Sequence, residues 1–157
     1  MSANAEAAYE QLQSLIGKEP AAGEWFELTQ ERINAFADAT LDHQFIHIDP
    51  VRAAQTPFGG TIAHGFLTLS MLVHLSTTIP SDFTKLEGVI MGVNYGMNKV
   101  RFINPVPAGS RVRATAATVG VELKGNAVDQ TRAMTVEIEG VDKPALIAEW
   151  IGRTVFA

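Results

Sequence analysis

Apolar residues recur at helical spacing near the start of the chain. Ala8, Leu12, Leu15 and Ile16 stand in a stretch rich in Ala and Glu, which predicts a helix over residues 4–16. Gly17 follows where a glycine stop belongs. Residues 25–28 (WFEL) form a short strand candidate. Thr29 then suits the N-cap of a helix running to Ala39, with Ile33, Phe36 and Ala37 on one face. Residues 40–45 read as a loop with no helix signature. Asp49 before Pro50 predicts a cap with proline at the first helical position, opening a short helix over 51–54. After the turn-rich TPFGG of 56–60, residues 61–78 predict one long helix, apolar almost all the way round, of the kind that other elements bury.

Beyond Pro80 the pattern turns to β. Strands are predicted over 88–103, 111–123, 130–139 and 145–156, with breaks at 104–109, 124–126 and 140–144. Lys124-Gly-Asn126 suits a hairpin turn, because Gly and Asn tolerate positive φ. Strands of ten or more residues are long, so bending or strong twist is expected. Helices first and four consecutive strands afterwards imply an α+β fold, with an antiparallel meander packed on the apolar helix. Such a sheet leaves an edge and an apolar flank uncovered, which predicts a homodimer.

At 157 residues and 46% hydrophobic, the chain suits a single domain over 1–157, with residues 1–20 as an N-terminal helical extension. With no cysteine, disulfides, thiolate metal sites and thiol nucleophiles are excluded. A net charge of −5 argues against general nucleic-acid binding. The first residues lack a basic segment followed by an apolar run, and His64, Thr68, Ser70 and His74 interrupt the longest apolar stretch. A cytoplasmic protein, neither secreted nor membrane-spanning, is the expectation. No internal repeat is present.

The chemistry gathers in TLDHQFIHIDP, residues 40–50, which holds Asp42, His43, His47 and Asp49. A carboxylate bonded to an imidazole fixes its tautomer and supports its charge, which makes Asp42 and His47 a candidate general acid–base pair. On spacing alone, a loop acid and a structural histidine describe the same residues at least as well. His43 and His47 stand four apart, but metal ligation at that spacing needs a helix, and Phe45, Ile46 and Asp49-Pro50 argue against one, so no metal is expected. His64-Gly65 opens the long helix, where unpaired N–H groups and the dipole can polarise a carbonyl; close packing on the sheet would equally call for glycine at 65. Lys99, Arg101, Arg111 and Arg113 alternate along two strands, where they can meet phosphates or simply face solvent. There is no GxGxxG, GxxxxGK[ST] or GxSxG pattern.

Taken together, DxxxxHxDPxxA from Asp42 to Ala53 and TIAHGFLTLSML just after it resemble the hydratase-2 motif of the MaoC-like dehydratases. YGMNKVRFINPVPAGSRVRA, from Tyr95 to Ala114, resembles the subgroup that includes nodulation protein N. The resemblance implies a hot-dog fold and an (R)-specific enoyl-CoA hydratase, adding water reversibly to a trans-2-enoyl-CoA. By the same resemblance Asp42 and His47 match the catalytic pair and Gly65 the glycine whose amide polarises the thioester carbonyl. Lys99 and Arg101 become the candidates to meet the phosphates of the acyl-CoA substrate, and no metal or redox cofactor is implied. Gln44 and Phe45 stand where the family often has Asn-Pro, so the turn loses a proline. A hot-dog thioesterase and a non-catalytic acyl-thioester binding module are the rival readings of the same residues.

Overall fold

The computed structural model describes residues 2–80 and 85–157. Helix α1 (Ala3–Gln13) buries Ala5, Ala8 and Leu12, and Gly17 follows it at φ 88°. Two short strands come next, β1 (Ala21–Ala22) and β2 (Phe26–Glu27). Helix α2 (Gln30–Thr40) starts as predicted, with the Thr29 side chain accepting from the Arg32 N–H, and buries Ile33 and Ala37. It ends on Leu41 in the left-handed region at φ 63°.

The predicted loop is where local structure departs from expectation. Residues Phe45–Ile48 form a single helical turn, α3, that contains His47. One turn is too short to show a periodic signature, and long-range contacts hold it: the Gln30 side chain donates to the His47 carbonyl at 2.7 Å, and the Ile62 N–H to the Ile46 carbonyl at 3.0 Å. Helix α4 (Pro50–Ala53) is capped by Asp49, which accepts from the Arg52 N–H.

The long apolar helix is shorter than predicted and runs in two parts, α5 (Gly65–Ser70) and α6 (Leu72–Ser76), joined through Met71. Residues 61–64 stay extended because their backbone is used elsewhere: Ala63 donates to Val106 at 2.8 Å and Ala108 to Thr61 at 2.9 Å. Leu67, Leu72 and Leu75 are buried, while Phe66 and Val73 on another flank are exposed.

Four long strands follow: β3 (Val89–Phe102), β4 (Arg111–Lys124), β5 (Ala127–Ile138) and β6 (Val141–Phe156). They form one antiparallel sheet in the order β1-β4-β5-β6-β3, with β2 also on β4. Gly125 at φ 63° turns the β4–β5 hairpin as predicted. The break predicted at 140–144 shrinks to Glu139-Gly140, and Pro144 lies inside β6. There the ladder to β5 slips between Val136 and Ile138, so a residue without an N–H costs no pairing. Slips at Gly120 and three times along β3 bend the sheet, as strands of this length require. The main core packs Leu67, Leu72 and Leu75 against Val112, Met134, Val136, Leu146 and Trp150. An apolar helix lying on a curved antiparallel sheet is the α+β hot-dog arrangement. A smaller cluster seats α1 against Val121, Val128 and Phe156.

Candidate active site

His47 is 7% exposed and sits where α3 meets the extended run before α5. Its Nδ1 lies 2.7 Å from the Ile62 carbonyl oxygen. A carbonyl only accepts, so Nδ1 carries the proton and Nε2 is left with a lone pair. This corrects the sequence expectation that Asp42 fixes the tautomer. Among the described residues no hydrogen bond joins Asp42 to His47, and a backbone carbonyl does the orienting instead. Asp42 stays near, half exposed at the end of the α2 turn.

A third residue completes the cluster. His64 caps α5, is 2% exposed, and stacks on His47 with ring centroids 3.8 Å apart and planes 25° from parallel. Its Nε2 donates to the Asp42 carbonyl at 2.9 Å, tying the Asp42 turn to the helix start, while its Nδ1 is buried with no partner among the described residues. One polar atom each of Asp42, His47 and His64 lies within 4.8 Å of the others. That grouping suits a metal by composition, but the ring geometry opposes it. Nearly parallel stacked imidazoles aim their lone pairs along separate planes, whereas a metal held at about 2.0–2.1 Å needs them to converge. A gap of this size between a carboxylate and an imidazole instead has room for a water.

Burial pushes the His47 pKa below its ordinary value, and His64 beside it adds to the lowering; the Ile62 carbonyl and the Asp42 charge act the other way. The ring is therefore neutral at neutral pH, the state a general base needs.

His47 and Gly65 line one cavity of about 380 Å³, walled by Phe58, Ile62, Phe66, Phe102, Ile103 and Val106. Gly65 is the first residue of α5, so its N–H belongs to the helix turn that lacks internal acceptors. A Cβ added there would lie 2.9 Å from the Phe102 ring. Close packing and a bare backbone facing the cavity thus coincide at this glycine.

The remaining candidates lie outside the cluster. His43 pairs with Asp38 at 2.8 Å on the surface, which separates it from His47. Lys99 sits at a bulge with φ 53° and pairs with Glu149 at 2.7 Å, and Arg101 donates to the Val100 carbonyl. The bulge between Asn98 and Arg101 breaks the simple alternation expected of β3. Arg111 and Arg113 pair with Glu139 and Glu137, so a solvated, ion-paired face describes them. Sequence reasoning noticed His64 only as the neighbour of Gly65; its burial beneath His47 depends on packing that spacing does not reveal.

Residues 11–140 match the MaoC like domain family. The chain is 52% identical over 145 residues to 3-hydroxyacyl-thioester dehydratase Z of Mycobacterium tuberculosis, covering 92% of this chain and 93% of that one. It is 46% identical over 153 residues to nodulation protein N of Rhizobium meliloti, covering 96% and 93%. The (R)-hydratase of A. caviae involved in PHA biosynthesis superposes with a TM-score of 0.69 at 24% identity, covering 89% of this chain and 97% of that one. With the fold, the motif segments and the matched span in agreement, the chain belongs to the MaoC-like dehydratase family.

Proposed function

We propose that the protein is a hydro-lyase, an (R)-specific enoyl-CoA hydratase that interconverts a trans-2-enoyl-CoA and the (R)-3-hydroxyacyl-CoA. One observation carries this reading: a neutral, oriented His47 and Gly65, the first residue of α5, line the same apolar cavity. The name of the mycobacterial relative, a 3-hydroxyacyl-thioester dehydratase, supports the same direction. The acyl chain lies in the apolar cavity with its thioester oxygen at the Gly65 N–H. Asp42 and His47 hold one water between them. His47 Nε2 takes a proton from the water as its oxygen bonds to C3. The C2–C3 π electrons shift towards the thioester, placing negative charge on its oxygen, where the Gly65 N–H stabilises it. The pair then returns a proton to C2, so the sum is addition of one water. No step calls for a metal or a redox cofactor.

Arg101 directly precedes the cavity residue Phe102 and is the better placed of the two candidates for the carrier's phosphates; Lys99 would first have to leave Glu149. The reading includes a homodimer joined along β3, supported by the exposure of Val89, Ile90, Met91, Val93 and Tyr95 on an edge strand. It also places the protein in the cytoplasm, with which a cysteine-free chain is compatible.

The deciding assay follows the enoyl absorbance of crotonyl-CoA and longer enoyl-CoAs, with product configuration read on a chiral column. Loss of absorbance with an (R)-3-hydroxyacyl product is expected. Release of free thiol without hydration would make the protein a thioesterase, and no turnover with any chain length would make it a binding module.

A further inference from the structure

His64 is packed between two rings, Phe36 of α2 with centroids 4.9 Å apart and His47 of α3 at 3.8 Å. For the fold alone an apolar ring would serve this place better. The Nδ1 atom is buried with no partner among the described residues, and a buried polar atom left unpaired costs stability. The Nε2–H does meet an acceptor, the Asp42 carbonyl at 2.9 Å, but Asp42 is half exposed, where water can stand in for a donor. A histidine kept here against that cost points to a task other than packing.

What sets the side chain apart is that it touches both members of the Asp42–His47 pair. Its N–H holds the Asp42 backbone at the end of α2, and its ring face lies on the His47 imidazole. Its own backbone caps α5, whose first residue is Gly65. Asp42 and His47 are not hydrogen-bonded to each other among the described residues, so the pair does not fix its own gap. We propose that His64 is a positioning residue for the hydration, holding Asp42 and His47 at the separation that seats one water between them. The role rests on the hydratase reading of the site. His64 does not wall the cavity and acts only through the two residues that it holds.

The contact also bears on the charge of the His47 ring. Asp42 favours the protonated ring and His64 disfavours it. The other polar groups nearby are turned elsewhere. Gln30 of α2 meets the His47 carbonyl, Asp49 caps α4, Arg52 lies over the Phe45 ring, and His43 pairs with Asp38. Removing His64 therefore raises the His47 pKa, and a phenylalanine face beside an imidazolium adds to the rise.

Two variants separate the contacts: His64→Phe keeps a ring on His47 and removes the tether, whereas His64→Gln keeps an amide donor and removes the ring. On crotonyl-CoA, His64→Phe should lower kcat at least ~10-fold with KM little changed, the mark of misplaced groups rather than lost binding. Its melting temperature should stay near or above that of wild type. The acid limb of kcat/KM should move to higher pH. His64→Gln should be the more active of the two. NMR of histidine-labelled protein follows the same titration without turnover. His47 should titrate at higher pH in His64→Phe than in wild type, and wild-type His64 should carry its proton on Nε2. Unchanged kcat in His64→Phe, or a loss of rate that tracks melting temperature with no shift at His47, would overturn the proposal. So would a His64→Gln no more active than His64→Phe, or a wild-type His64 protonated on Nδ1. The last measurement needs no variant and decides the matter if neither variant folds. A wild type inactive on every enoyl-CoA takes down the hydratase reading and this role with it, whereas an active wild type with an indifferent His64→Phe takes down this role alone.

Discussion

In the proposed reaction His47 acts as a base only while its ring is neutral, and its burial favours that state. Because the folded pKa lies below the ordinary value, the acid limb of kcat/KM should fall below the usual imidazole range. Asp42 raises that pKa, so Asp42→Asn should move the limb to still lower pH while lowering kcat by at least ~10²-fold; His47→Gln should cost a similar factor. A pH–rate profile of both variants on crotonyl-CoA checks this, and near-normal rates in folded variants would end the assignment. The sign for stability follows from the same shift. The unfolded chain holds the His47 proton more tightly than the folded one, so this contribution is complete above the ordinary histidine pKa and is lost as pH falls towards the folded value. Melting temperatures of wild type and His47→Gln should therefore converge in mild acid. The spacing of Asp42 and His47 was visible in the chain, but what orients them was not. The Ile62 carbonyl and the stacked His64 are brought there by backbone contacts fifteen and seventeen positions away, and a backbone acceptor has no residue signature.

At the scale of elements, short-range chemistry was readable wherever a local group closes the structure. The Thr29 and Asp49 caps and the Gly125 turn all stand where their side chains or φ values require. Elements held from a distance were not: α3 depends on Gln30 and Ile62, and the extended start before α5 depends on Val106 and Ala108. Gly65 sits at that boundary. Helix propensity alone would favour Gly65→Ala by about 1 kcal/mol, but the new Cβ would press on the Phe102 ring at 2.9 Å. The expected result is little gain in melting temperature. Gly65→Val should lose kcat/KM by ~10²-fold or more, near 3–4 kcal/mol in the barrier. Measured on the same samples, full activity per folded molecule in a destabilised Gly65→Val would leave only the packing role. Leu72 offers the contrast of a purely structural position. It is fully buried under the sheet, so Leu72→Ala should lower stability by about 2–5 kcal/mol in urea titrations.

At the scale of the whole molecule, apolar strands read from the chain promise burial, and one of them does not receive it. β3 ends the sheet, and Ile90, Met91, Val93 and Tyr95 along it are each more than half exposed or close to it. A long apolar edge strand is a template for pairing with another chain unless something covers it. The exposed flank continues onto the cavity at His47, whose walls Phe66, Phe102 and Ile103 are 66%, 49% and 45% exposed. A second copy set along β3 would therefore cover the edge and shield the acyl cavity together, strengthening the polar interactions inside by excluding water. Light scattering at micromolar concentration should give twice the 16.9 kDa of one chain. Val93→Lys, which places a charge on that edge without touching His47 or Gly65, should shift the mass to one chain and lower kcat/KM with it. A wild type that remains a single chain would remove the dimer, and a monomeric Val93→Lys with full kcat/KM would show that each cavity works without the second copy.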